Sequence, residues 1–392
     1  MSFSDETIVS LRPLTIRKDK KHYIVEDKES GDFYEMPEVC VAAIELLDQG
    51  VPLGQAEGAL RAQFPDEEVE LFDFVYQLLE LELVGEIDGA DVERKTITDS
   101  QSGFGWIPAG IGRFFFNQLT SKLYILLLVG IFLILIFNPG FFPKYKDLFV
   151  FNLMLKNVAA WLLVTSILVL VHEFGHVLAA RSENLPAKVG IGHRLFFVVL
   201  ETDLTQAWSL PAERRNKLYL AGMYFDITVL FAALSAQLFI DENALIASFL
   251  RLAVLDTFVR LVYQTGVFMK TDLYYVLENM TGCYNLMEEG QFFLGRWLPF
   301  LKERDTEALT IEEKVVRPYA VFYLAGIAVT CALAAFYYIP QLLFAVKEFM
   351  LPGLAEPLNS LRFWDSAVFM LQIGIVLSLL LYSWTKKYRL SS

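Results

Sequence analysis

Two histidines four residues apart, with a glutamate directly after the first, stand in His172-Glu173-Phe174-Gly175-His176. On a helix, positions i and i+4 lie on one face, so the two imidazoles can share one Zn²⁺. Glu173 then projects beside the metal, where a carboxylate can take the proton of a metal-activated water. The plainer reading is two buried structural histidines that happen to flank a glutamate. The setting argues against it. The motif ends an uninterrupted apolar segment, Asn157 to Ala180, and a carboxylate in hydrocarbon costs several kcal/mol unless it is paired or functional.

A catalytic zinc needs a third protein ligand and an open position. If the apolar segment starts near Asn157 at one membrane face, a rise of about 1.5 Å per residue places His172 roughly 22 Å into a core about 30 Å thick. The site is then sunken but reachable from the nearer side. His193, in Gly190-Ile191-Gly192-His193-Arg194, is one candidate ligand, although a loop histidine beside an arginine is more often solvated. Asp272, at the end of a later apolar segment that runs inward, is better placed. Asp226 competes weakly for a site role. Asp256 and Arg260, at i and i+4, are expected to neutralise each other, and Arg251 stands as an unexplained intramembrane cation.

The elements that must hold these residues are membrane helices. Over 392 residues the chain is 55% hydrophobic and 14% aromatic, with a mean hydropathy of +0.43, too apolar for a soluble enzyme. Six spans are expected near 123–142, 157–180, 214–238, 244–268, 318–346 and 364–384. Lys386, Lys387 and Arg389 follow the last one, so the positive-inside rule puts both termini in the cytosol. The first thirty residues lack the apolar run of a cleavable signal. The formal charge of −13, concentrated in the first hundred residues, argues against a nucleic-acid partner. Cys40, Cys283 and Cys331 are scattered and suggest neither disulfides nor a cysteine zinc site.

Residues 1–95 read as a soluble α+β domain. Leu14 to Arg17, His22 to Val25 and Asp32 to Glu35 form a hairpin or three-stranded meander, followed by helices over Pro37 to Leu47, Leu53 to Phe64 and Glu67 to Leu83. Residues 96–121 comprise a linker and an interfacial stretch in which Arg113 and Lys122 bracket three phenylalanines, and residues 122–392 form the membrane domain. The order of strands and helices resembles the PqqD-like domain, a winged-helix variant that captures leader segments of ribosomally made peptides. That resemblance implies a peptide taken up along the edge strand Phe33-Tyr34-Glu35.

From about Lys122 to Met280 the chain resembles the site-2 protease family of intramembrane zinc metalloproteases. There, His-Glu-x-x-His lies in one core helix and an aspartate, usually within Leu-Asp-Gly, completes the site two core helices later. The resemblance assigns His172, His176 and Asp272 as ligands of Zn²⁺ and Glu173 as general base. Thr271-Asp272-Leu273 replaces Leu-Asp-Gly, and Ala221-Gly222-Met223-Tyr224-Phe225-Asp226 stands where the family has Gly-Pro-x-x-Asn. Gly266 is expected to break the fourth span so that Asp272 turns back to the metal. The β-prone stretch Lys188 to Leu200 corresponds to a membrane-associated hairpin that pairs with substrate, which makes Gly190, Ile191 and Gly192 substrate-binding candidates.

Together the two resemblances imply an integral protein of a bacterial cytoplasmic membrane that hydrolyses a precursor peptide in ribosomal-peptide maturation. The alternatives are a regulatory protease that cuts a membrane-spanning, anti-sigma-like protein, and a non-catalytic peptide carrier or exporter.

Overall fold

The computed structural model describes residues 3–20, 22–94, 103–194, 197–296 and 313–390. The chain divides into two compact units. The first comprises Met1–Pro108 with Glu183–Lys188 and Asp203–Arg215, and the second Ala109–Ser182, Val189–Thr202 and Asn216–Ser392.

In the first unit four strands precede three helices: β1 (Val9–Leu11), β2 (Leu14–Asp19), β3 (His22–Asp27), β4 (Phe33–Met36), α1 (Glu38–Asp48), α2 (Leu53–Gln63) and α3 (Leu71–Glu80). A final pair, β5 (Val84–Ile87) and β6 (Ala90–Asp91), follows. Strands β2, β3 and β4 form one antiparallel sheet with Ile16 opposite Val25 and Val25 opposite Tyr34, while β1 pairs with β5 in a second sheet of order β1-β5-β6. The expected meander is therefore joined by three strands that are too short, or too charged, to show as alternation. The core is aliphatic, with Val25, Ile44, Leu47, Leu53, Leu60, Val75, Leu78 and Leu83 buried against one another.

The first unit takes in the chain on both sides of residue 95. Arg94 pairs with Asp27 at 2.6 Å and with Glu29 at 3.3 Å, and Phe104 N–H donates to the Ala187 carbonyl at 2.9 Å. Burial alone would raise the Asp27 carboxyl, but the Arg94 guanidinium, the Glu29 amide and the Ser30 hydroxyl hold it below its ordinary range.

The second unit begins with α4 (Ala109–Phe115) and α5 (Gln118–Phe137), the latter started by an Asn117–Thr120 capping box. Then come α6 (Met154–Ser182), a two-stranded sheet of β7 (Lys188–Arg194) and β8 (Phe197–Asp203), α7 (Ala212–Tyr219), α8 (Ala221–Gln237) and α9 (Leu245–Tyr263). Helices α10 (Asp272–Thr281), α11 (Leu286–Gly295) and α12 (Glu313–Leu333) follow. The last stretch holds α13 (Ile339–Phe344), α14 (Leu351–Leu354), the wider π turns Ala334–Tyr338 and Ala345–Met350, and α15 (Leu361–Leu390).

Among the described residues five helical stretches are long and apolar enough to cross a membrane: Gln118–Phe137, Met154–Ser182, Ala212–Gln237, Lys314–Leu354 and Leu361–Tyr382. The sixth expected span, 244–268, corrects to α9, which ends at Tyr263 and carries Arg251, Asp256 and Arg260. Three charges in 19 residues make it unfit to face lipid by itself, and it packs on α6, α8 and α12.

Small residues bring the helices that matter close together. An added Cβ at Gly175 of α6 would lie 2.8 Å from the Ala221 carbonyl of α8, and one at Gly112 of α4 would lie 2.3 Å from the Leu178 carbonyl. Such contacts let backbones approach where larger side chains would hold them apart. Helix α6 divides accordingly. Leu162, Leu163, Ile167 and Leu170 are exposed, whereas His172, Glu173 and Gly175 to Ala180 are buried.

Candidate metal centre

His172, Glu173 and His176 lie on α6, and Asp272 is the first residue of α10. The turn of chain that returns Asp272 differs from the expected break. Helix α9 stops at Tyr263, a 3₁₀ turn spans Val267–Met269, and Lys270 takes up the left-handed conformation at φ 51°. Gly266 itself is not left-handed, at φ −73°. Its environment is nevertheless tight, because an added Cβ on Gly326 of α12 would lie 2.7 Å from the Thr265 carbonyl and 3.2 Å from the Gly266 Cα.

Gln264 holds the returning aspartate. Its Nε2 donates to Asp272 Oδ2 at 2.9 Å, its Oε1 accepts from the Asp272 amide at 3.1 Å, and its carbonyl accepts from Thr271 Oγ1 at 2.8 Å.

The three candidate ligands meet. Asp272 Oδ2 lies 3.1 Å from His172 Nε2 and 3.5 Å from His176 Nε2, and the two Nε2 atoms are 3.3 Å apart. All three side chains are buried or nearly so. The opposite ring nitrogens are already engaged. His172 Nδ1–H donates to Asp226 Oδ2 at 2.8 Å, and His176 Nδ1–H donates to the Leu218 carbonyl of α7 at 2.9 Å. Because carboxylates and carbonyls only accept, each neutral ring carries its proton on Nδ1 and turns an Nε2 lone pair inward. The two Nε2 atoms and a carboxylate oxygen then converge on one point, an arrangement that a cation can join. The donor set of two imidazoles and one carboxylate suits a divalent metal.

Gly222 of α8 shapes the same space. An added Cβ there would stand 2.4 Å from His172 Nε2 and 2.6 Å from His176 Nε2, so only glycine leaves room at the point of convergence. Glu173, also buried, accepts from Thr202 Oγ1 of β8 at 2.8 Å, and the same hydroxyl lies 3.2 Å from the Glu173 carbonyl.

No family model, curated protein or solved structure matches this chain.

Asp226 is not a third ligand here; it orients His172, as a carboxylate partner of a metal-bound histidine does. Arg260 bridges from its i, i+4 partner Asp256 to Asp226, 3.8 Å away, so the pair expected to be only structural also reaches the histidine's partner. Arg251 is anchored at the start of α9 by the Glu242 carbonyl at 3.3 Å and Ser248 Oγ at 3.1 Å. His193 belongs to β7 by its backbone, and its side chain lies outside the described residues.

The peptide-binding candidates are placed on two elements. Gly190, Ile191 and Gly192 lie on β7, with Ile191 exposed. An added Cβ at Gly192 would meet the Glu201 carboxylate of β8 at 2.1 Å. Phe33, Tyr34 and Glu35 lie on β4, which is at one edge of its sheet. Partial burial, and then the Asp19 carboxylate, push Glu35 up to about 7, and His22 Nδ1 stands 3.4 Å from it.

Gln264, Thr202 and Gly222 went unread in the sequence as parts of this site, and Asp226 was read as a competing ligand and not as the partner of His172. Asp226 and Gln264 did carry a signal, since each is a polar side chain in an otherwise apolar run.

Proposed function

We propose that this protein is an intramembrane zinc metallopeptidase, of the type seen in the site-2 protease family, acting on a peptide substrate. The observation that carries this reading is the convergence of His172 Nε2, His176 Nε2 and Asp272 Oδ2, with a buried glutamate directly after the first histidine. A zinc ion bound by these three atoms supplies Lewis acidity to the scissile carbonyl and acidifies a water. Glu173 takes the proton of the attacking water and delivers it to the leaving amine. Thr202 holds the Glu173 carboxylate in one rotamer, and Asp226 with the Leu218 carbonyl keeps both imidazoles in the tautomer whose Nε2 can ligate. Five helical stretches long and apolar enough to cross a membrane, one of which carries the motif, support a setting for this chemistry inside a bilayer.

The acidic first unit supports a peptide as substrate and leader removal in ribosomal-peptide maturation as the process. An extended segment adds to β4 through backbone hydrogen bonds, and the covalent link to the membrane helices raises its local concentration into the roughly millimolar range. The test replaces Glu173 with Gln. Metal content should be unchanged while peptide hydrolysis falls by about two to four orders of magnitude, since the base is removed and the shape retained. Undiminished turnover in Glu173→Gln would remove the proposed role.

A further inference from the structure

Strands β7 and β8 enter and leave through two segments that belong to the first unit, Glu183–Lys188 before them and Asp203–Arg215 after them. Both segments are pinned. Glu183 and Arg214 join them by an ion pair, and Phe104 N–H holds the Ala187 carbonyl. Arg17 of β2 donates to the Leu210 carbonyl at 3.0 Å and also to that of Trp208, and Gln206 Nε2 donates to the Gly31 carbonyl at 2.9 Å.

The central pin is Arg215, with none of its side chain exposed. Its Nη1 lies 2.6 Å from Asp19 Oδ2, its Nε donates to the Leu210 carbonyl at 2.9 Å, and its guanidinium lies 4.4 Å from the centre of the Trp208 ring. Thr15, Arg17 and Asp19 alternate onto one face of β2, away from Ile16 and the aliphatic core. That face is what receives Asp203–Arg215.

The two ends of this pinned segment are covalently adjacent to the centre's own supports. Thr202, whose hydroxyl holds Glu173, immediately precedes it, and Leu218, whose carbonyl holds His176 Nδ1, lies three residues after it on the same helix. We propose that Arg215 is a positioning residue. With Asp19 and Arg17 it fixes segment 203–215 to the N-terminal sheet and thereby sets the Thr202 hydroxyl on Glu173 and the Leu218 carbonyl on His176. The inference rests on the metallopeptidase reading only in its activity arm. It gives the N-terminal sheet a role in the chemistry distinct from holding a peptide.

The test uses the full chain with Arg215→Met, Asp19→Asn, the pair combined, and Arg17→Met as a variant that leaves Arg215 in place. Amide exchange over residues 200–219 should quicken about tenfold or more, reporting local opening of that segment. With a short generic peptide kcat should fall about tenfold while KM stays constant, because the groups disturbed act on the base and a ligand and not on ground-state binding. The combined variant should be little worse than either single one, as expected for partners in one interaction. Faster exchange confined to residues 3–94 with kcat unchanged would overturn the proposal, as would a change in KM alone. If the unaltered protein hydrolyses no peptide, the metallopeptidase reading fails, and exchange over 200–219 still decides whether Arg215 fixes the segment.

Discussion

The clusters around His172 and Arg215 are both buried and both polar, and they differ in where their lone pairs point. Around Arg215 a donor faces acceptors: the guanidinium meets the Asp19 carboxylate and the Leu210 carbonyl and lies over the Trp208 ring. Around His172 the outward nitrogens are satisfied by Asp226 and Leu218, while two imidazole Nε2 atoms and a carboxylate oxygen converge within 3.5 Å of one another. A closed network fixes structure; a convergent set of acceptors asks for a cation. The same burial thus goes with a staple in one place and a candidate metal centre in the other.

Removing a convergent acceptor should have the largest effect. Asp272→Ala is expected to lower metal affinity by more than Asp226→Asn, which removes only the partner of His172 and should cost about 10–100-fold. Competition with a chelator of known affinity gives the order, and a larger loss in Asp226→Asn would show that Asp272 is not the third ligand. Gly222→Ala should come next. It deletes no ligand, yet its Cβ would stand 2.4 Å from His172 Nε2, so metal content should drop while the helix persists.

Opening the closed network should be felt in stability. Arg215→Met takes the guanidinium from the buried Asp19 carboxylate, at a cost of up to about 3–5 kcal/mol. Arg260→Met should cost less, because that side chain is 16% exposed and its carboxylate partners keep other contacts. Thermal unfolding of the two variants in one detergent checks the order.

The smallest effect sharpens the contrast from the soluble side. Asp27 is held below its ordinary pKa, so its contribution is present above the unfolded value of about 3.9 and is lost as pH falls towards the folded one. The first unit should therefore lose stability below about pH 4, and Asp27→Asn should flatten that acid limb.

These clusters also show what a sequence can disclose. His172 and His176 are visible because i, i+4 spacing is local, and β2, β3, β4 and the stretch that forms β7 and β8 are visible as alternation or as β-prone runs between turn residues. Asp226, by contrast, meets His172 across 54 residues and Asp19 meets Arg215 across nearly two hundred, distances over which no local pattern informs. The α9 segment misled because its hydropathy suits a span while its three charges find partners inside the protein and at the helix start. The placement of 203–215 with the N-terminal sheet follows from arginines that, read locally, look like an ordinary basic loop.

The central claim is that His172, His176 and Asp272 hold a zinc ion, and elemental analysis of the purified full-length protein tests it most directly. The account predicts about one Zn²⁺ per chain in the unaltered protein and in Glu173→Gln, and essentially none in the His172→Ala, His176→Ala double variant. Stoichiometric zinc that survives the double substitution, or a zinc-free native protein that takes up none when the ion is supplied, would contradict it.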